Sequence, residues 1–511
     1  MPEQNVNDQY STWIGLVYIF NLIVGTGALT LPAVFSRAGW ILGLSVILVL
    51  AFISFVTVTF VIEAMASANA IVTWRHLQHR KRVLQTIGES GPSNSDSEDT
   101  PLVAPLSTAT PTTSATTTTS SPERSDMVYR YYVIRDKIEM GQMASIFFNR
   151  FGTTLFYLCL AIYLYGDLSI YGAAVAKSVA DVVCTYMPEN LTCNDTIPDT
   201  EPCWENYELN RSDAYRIFLT LFVLLLGPFV FFNVQKTKYL QLLTSAMRWL
   251  AFNIMILYAV ISLIRYGPRG DPPTANLTGI PGLFGACVYS FMCHHSLPAL
   301  VAPIANKSMI NRFLALDYVL IAFFYLLLAL TGAFAFEHLD DLYTLDFGPR
   351  GSGNCSKSDN IFMLFIEYFL ALFPVFTLST SFPIIAITLR NNLQSLFLNE
   401  DTSYNVFQKL VFPILAILPP YLIALYTKDL SILVGITGSY AGAGIQYLIP
   451  TFLVYYARQE TNKVIGLGVK NKFASPFSNK YWLVFVVAWA IACMILVSVN
   501  FIQIHHRTMV S

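Results

Sequence analysis

The chain has 511 residues, of which 54% are hydrophobic and only 12% charged, and its mean hydropathy is +0.52. A water-soluble protein of this size has no use for so much apolar surface, so soluble enzymes and nucleic-acid-binding modules are excluded and a protein folded in a lipid bilayer is expected. The formal charge of −1 adds nothing further.

In chain order, apolar runs of about 18 residues or more, the length a helix needs to cross hydrocarbon, predict spans at 13–35, 41–62, 151–176, 215–232, 239–264, 280–303, 314–336, 361–389, 410–427, 432–456 and 482–504. The expected fold class is an all-α polytopic membrane protein with about 11 transmembrane helices. Residues 1–12 carry no Lys or Arg, and Asn21 and Pro32 interrupt the first run, so it reads as a retained signal-anchor.

That first span holds Asn21-Leu22-Ile23-Val24-Gly25-Thr26-Gly27-Ala28-Leu29-Thr30-Leu31-Pro32 near its middle. Each Gly costs a helix up to about 1 kcal/mol relative to Ala. A helix broken at membrane depth must line a protein cavity, because its freed backbone groups find no partner in lipid. An unwound turn at Gly25, Thr26 and Gly27 would turn carbonyls toward a cation and half-helix N–H groups toward an anion. Close helix packing through small residues is the alternative.

Alternating the connections places residues 1–12 and the loop 63–150 in the cytoplasm together with 21 of the 31 Lys and Arg, counting Arg248. Residues 505–511 then lie outside. The stretch 88–125 is Ser/Thr/Pro-rich and is expected to be disordered, a phosphorylation and partner-docking candidate. From 128 to 150, Ile134, Ile138, Met140 and Met143 predict an amphipathic helix leading into the third span. The outer loop 177–213 carries sequons at Asn190, Asn194 and Asn210, and those at Asn276 and Asn354 fall on the same face. Cys184, Cys193, Cys203 and Cys355 also fall there, where disulfides persist, with three pairings open. No His or Cys spacing predicts a zinc site, and no cofactor is expected beyond a coupling Na⁺ or H⁺.

Four further stretches carry polar groups into apolar runs. Asp167 lies in the third span, where an acid is costly unless it faces a cavity or a partner. Tyr289-Ser290-Phe291-Met292-Cys293-His294-His295-Ser296-Leu297-Pro298 interrupts the sixth span as Gly25 interrupts the first. Interrupted segments at matching places in two five-span halves point to a transporter binding site. His294 and His295 are candidates for sensing pH, or for packing. In the eighth span, Thr377, Ser379, Thr380 and Ser381 suit either cation coordination or back-bonding to helix carbonyls. The run 435–444 of the tenth span is rich in small residues, which predicts tight helix contact.

Asn21 to Leu29 with Pro32, Gly39 and Trp40, the His294-His295 to Pro298 stretch and Ser381-Phe382-Pro383 together resemble the amino acid/auxin permease family, nearest its sodium-coupled neutral amino acid transporters. The resemblance covers essentially all eleven spans and implies the five-plus-five inverted repeat of the bacterial leucine transporter plus one helix. It implies a sodium site at Asn21 and at Thr380 or Ser381. Asp167, an acid at membrane depth in a region that departs from the family's pattern, is a further ion-coupling candidate on its own chemistry. Substrate contacts are expected at Gly25, Thr26, Gly27, Tyr289, Ser290 and Phe291. The expected function is secondary transport of small neutral amino acids, at the plasma membrane or an endolysosomal membrane. A sensor or signalling scaffold on a transporter fold is the alternative, motivated by the long cytoplasmic loop. An enzyme is not expected, since no nucleophile–base or paired-carboxylate motif stands out.

Overall fold

The computed structural model describes residues 9–89, 132–186, 188, 197–205, 207–232, 238–348, 360–398, 406–466 and 470–510. Each of the eleven apolar runs is helical. The first is two helices, α1 (Thr12–Ile23) and α2 (Thr26–Ala38), bent by 53°. Next come α3 (Trp40–Glu89), α4 (Met140–Phe147), α5 (Arg150–Val183), α6 (Arg211–Leu226) and α7 (Lys238–Tyr266). The sixth run is also divided, into α8 (Ile280–Ser290) and α9 (Leu297–Val301). The bundle continues with α10 (Ile310–Ala335), α11 (Ile361–Phe397), α12 (Val406–Tyr426), α13 (Leu430–Thr437), α14 (Ile449–Val464) and α15 (Lys480–Val510). Wide π-type turns at Gly438–Gly442 and Gly444–Leu448 join α13 to α14 in one span. Among the described residues nine helices pass unbroken as membrane-length spans, and the bent pair α1–α2 makes ten; α8 and α9 are each too short to cross alone.

Large apolar side chains such as Leu224, Ile264 and Phe323 are exposed on the outside of the bundle, where lipid meets a membrane protein. The interior is built around α2, α8 and the α13–α14 span, and 78% of that span's apolar window is buried. Small residues let these backbones touch. A Cβ on Gly285 would lie 2.3 Å from the Gly435 carbonyl oxygen, and one on Gly438 would lie 2.0 Å from that of Gly285. The tight contact expected of the 435–444 run is thus made with α8.

Two segments depart from the sequence expectation. Residues 63–89, read as loop, continue α3 without a break. They hold no Gly or Pro before Gly88, so nothing stops the helix. Glu63 is buried and forks onto Arg458 of α14, with Oε1 2.7 Å from Nε and Oε2 2.8 Å from Nη2. The Ser475 N–H donates to the same carboxylate at 2.9 Å. The amphipathic helix expected over 128–150 is confined to Met140–Phe147. Ahead of it Tyr132 and Ile134 are buried while Val133 and Arg135 are exposed, the period of an extended strand rather than a helix. The Asn69 side chain fixes that segment by accepting the Asp136 N–H at 2.9 Å.

At the other end of the bundle, β1 (Pro202–Trp204) pairs antiparallel with β2 (Tyr207–Asn210), and Cys184 is bonded to Cys203 with their Cα atoms 4.3 Å apart. Lys177 of α5 pairs there with Asp340 and Asp341, and Asp341 also accepts the Leu430 N–H at the start of α13 at 2.8 Å. Cys193, Cys355, Asn190, Asn194, Asn354 and residues 90–125 of the expected disordered stretch lie outside the described residues. Asn210 is exposed, and the Asn276 amide donates to the Arg37 carbonyl at the end of α2 at 3.1 Å.

Candidate functional site

The first break forms because Gly25 carries no side chain to cap α2 and Val24 closes α1 with its N–H on the Phe20 carbonyl. Gly25 itself sits at φ −128°, ψ −145°. The last carbonyls of α1 and the first N–H groups of α2 thereby lose their helical partners inside the membrane. The second break follows Ser290: the N–H groups of Ser296 and Leu297 both turn back to the Cys293 carbonyl, and Pro298 stands in the first turn of α9.

The two breaks meet. A Cβ on Gly27 would lie 2.5 Å from Ser290 Oγ and 2.6 Å from Ser290 Cα, so only a hydrogen fits there. The Tyr325 hydroxyl of α10 lies 2.9 Å from both the Ile23 and the Ser290 carbonyl oxygens and shares its single proton between the breaks. On the other side, the Tyr289 hydroxyl donates to the Asp167 carboxylate, which leaves Thr26 to donate to the Tyr289 oxygen at 3.1 Å. Thr26, Tyr289 and Asp167 thus form one buried string across α2, α8 and α5, joining residues that the sequence assigned to separate roles.

Arg248 of α7 is the residue that sequence reasoning passed over. Its Nη1 donates to the Asn21 carbonyl at 2.6 Å and to the Val24 carbonyl at 3.2 Å. It had been counted with the cytoplasmic positive charges; a lone Arg inside an apolar run was the available signal. Phe20, Trp249, Phe252 and Phe324 line the space beside it, and Arg248 itself is half-buried.

The remaining expected residues are spread more widely. Thr380 and Ser381 donate to the Thr377 carbonyl at 2.9 and 3.2 Å, and no hydrogen bond among the described residues joins either to Asn21. Phe291 is buried and stacks on Tyr318 with ring centroids 6.2 Å apart. His294 is fully buried with Nε2 2.9 Å from Thr57 Oγ1, and the His295 ring lies 5.6 Å from that of Tyr163. Nδ1 of each histidine meets no partner among the described residues.

A family model described as "Transmembrane amino acid transporter protein" matches residues 8–91 and 127–496. The chain belongs to the transmembrane amino acid transporter family. Within this transporter family its relatives match over their full lengths. A Transmembrane protein 104 homolog of Drosophila melanogaster is 52% identical, the match covering 96% of this chain and 97% of the relative. Transmembrane protein 104 of Homo sapiens is 48% identical over the same shares. A Transmembrane protein 104 homolog of Dictyostelium discoideum is 32% identical over 95% and 96%. Family membership agrees with the polytopic helical fold and with a transporter rather than an enzyme.

Proposed function

We propose that the protein is a secondary transporter of small neutral amino acids, working by alternating access around the two helix breaks and driven by a gradient of Na⁺ or H⁺. The meeting of the breaks at Gly27 and Ser290 carries this reading, because it sets two kinds of backbone group side by side. N–H groups at the start of α2 suit a carboxylate, and carbonyls at the broken sixth span suit an ammonium group. A zwitterionic amino acid carries both on one carbon. Breaks in the first and sixth of eleven spans also fit the five-plus-five inverted repeat. Gly25, Thr26, Gly27, Tyr289 and Ser290 then contact substrate. Asn21, Thr380, Ser381 and Asp167 are the candidates for the ion path. The N-terminus lies in the cytoplasm and the C-terminus outside, with glycans on the outer sequons.

The test is uptake or exchange of a panel of labelled neutral amino acids in proteoliposomes. At least one member is expected to move. Failure of every member under both Na⁺ and H⁺ gradients, with folded protein verified, would overturn the reading.

The extension of α3 to Glu89 favours a second activity as a docking element, since 50 residues of helix reach about 75 Å, well over twice the hydrocarbon thickness. That helix carries the stretch 88–125 away from the bundle as the docking element, and deleting 88–125 abolishes partner capture while leaving uptake intact.

A further inference from the structure

The turn between α1 and α2 is built as a cation site, and the structure places a cation in it. The C-terminal end of a helix is its negative pole, and positive charge is favoured there. The last turn of α1 supplies no basic residue of its own. The carbonyls of Asn21 and Val24 instead converge on one nitrogen of Arg248, at 2.6 and 3.2 Å. No carboxylate among the described residues lies within 4.0 Å of that guanidinium, so the oxygens of the broken helix are what answer its charge. A guanidinium does not lose its proton in a protein, so the charge is permanent. The aromatic rings of Phe20, Trp249 and Phe324 line the space beside it. Unwound carbonyls of this kind are where transporters hold a dissociable sodium ion.

We infer that Arg248 is a built-in cation that takes the place of sodium at the α1–α2 break, so that the transport cycle runs without sodium at this site. The guanidinium holds the broken helix in a binding-competent shape in every turn of the cycle, because it is tethered to α7 and cannot leave with the substrate. Na⁺ therefore supplies no driving force, and any ion coupling is to H⁺ through another group. Arg248 plays this part within a transporter, so the proposal rests on that reading; binding of sodium can nevertheless be read without any substrate.

The experiment uses the purified full chain and measures its thermal midpoint in NaCl and in choline chloride at equal ionic strength. The parent protein is expected to melt at the same temperature in both, and its uptake of any transported amino acid to be equal in the two salts. Arg248→Ala empties the carbonyls, and its midpoint is expected to rise with Na⁺ in a saturable way that choline does not reproduce. Arg248→Lys keeps a tethered cation and is expected to remain indifferent to Na⁺. A parent midpoint that climbs saturably with Na⁺ overturns the proposal, as does a tenfold fall in parent uptake when choline replaces Na⁺. A folded Arg248→Ala protein that melts identically in the two salts also overturns it, since its carbonyls would then be no cation site. If the Ala variant fails to fold, Arg248→Gln takes its place in the same comparison; if that also fails, the parent result decides. Failure of all uptake with the expected melting pattern would sink the transporter reading and leave the cation assignment standing.

Discussion

Gly27 and Gly25 stand two residues apart in the same broken turn, yet they answer to different constraints. Gly27 is pressed against the Ser290 backbone, whereas the nearest atom to a Cβ on Gly25 is the Ile23 carbonyl oxygen at 3.9 Å. Gly27→Ala must push α8 away or unseat α2, an overpacking cost of about 1–3 kcal/mol. Gly25→Ala meets no such wall. Thermal unfolding of the two variants should therefore separate them, with Gly27→Ala the lower by several degrees. Equal midpoints would show that the breaks do not touch as described. The sequence marked both glycines as weak points of a helix; the difference between them rests on a contact 263 residues away and cannot be seen in the local pattern.

Among elements, the pairing of α8 with α13 is set by glycines on both sides. Gly285→Ala would drive a methyl group into the Gly435 carbonyl, while Gly282→Ala, one turn earlier, has its nearest neighbour at the Val34 side chain, 3.9 Å away. The first substitution is expected to lower the unfolding midpoint and the second to leave it nearly unchanged, as differential scanning of the two proteins would record. The small-residue run of span ten announced a close contact because only such residues let backbones approach. It did not announce the partner, since α8 carries its own glycines in a stretch that reads equally well as a flexible break. The divided spans were legible for a simpler reason: Gly, Pro and polar side chains cannot sit inside an apolar run without cause. The continuation of α3 past residue 62 was not, because its turn from apolar to charged composition marks the edge of the membrane and says nothing about the end of a helix. Arg248 was missed because a positive charge inside an apolar run was counted toward topology, and composition does not tell a topology signal from a site.

Over the whole molecule, charged clusters fasten opposite ends of the bundle. One is Glu63 with Arg458 and Ser475; the other is Lys177 with Asp340, Asp341 and the start of α13. In the second, two carboxylates share one ammonium group and cannot be served equally. Burial pushes the Asp341 carboxyl up to about 6, while the nearby Lys177 charge holds Asp340 below the usual carboxylate range. Asp341 thus takes up a proton more readily in the folded protein than in the unfolded chain. Its contribution to stability grows as pH falls from about 7 toward its unfolded value near 4, and is lost as pH rises through 6. Asp340 has the opposite sign: its contribution is whole above the ordinary carboxylate range and is lost as pH falls into and below that range. Melting curves between pH 7.5 and about 5 should show a rise in the parent midpoint that Asp341→Asn lacks, since Asn mimics the protonated acid throughout. A parallel pH dependence in the two proteins would mean that Asp341 is not the group that titrates.

The wide turns between Gly438 and Leu448 have a mechanical meaning of their own. Each is to its helix what a dislocation is to a crystal: one surplus unit lodged in an otherwise regular row. A crystal yields by moving such a defect one row at a time, never by shearing a whole plane at once. Passing one surplus residue along the span rotates only the residues it passes, by about 100°, and exchanges about one hydrogen bond at each step. Gln446 and Tyr447, buried within the second wide turn and joined to Ser54 of α3, would turn to a new face while the two ends of the span stay anchored. A span seized between α3 and α8 can in this way slip without ever letting go.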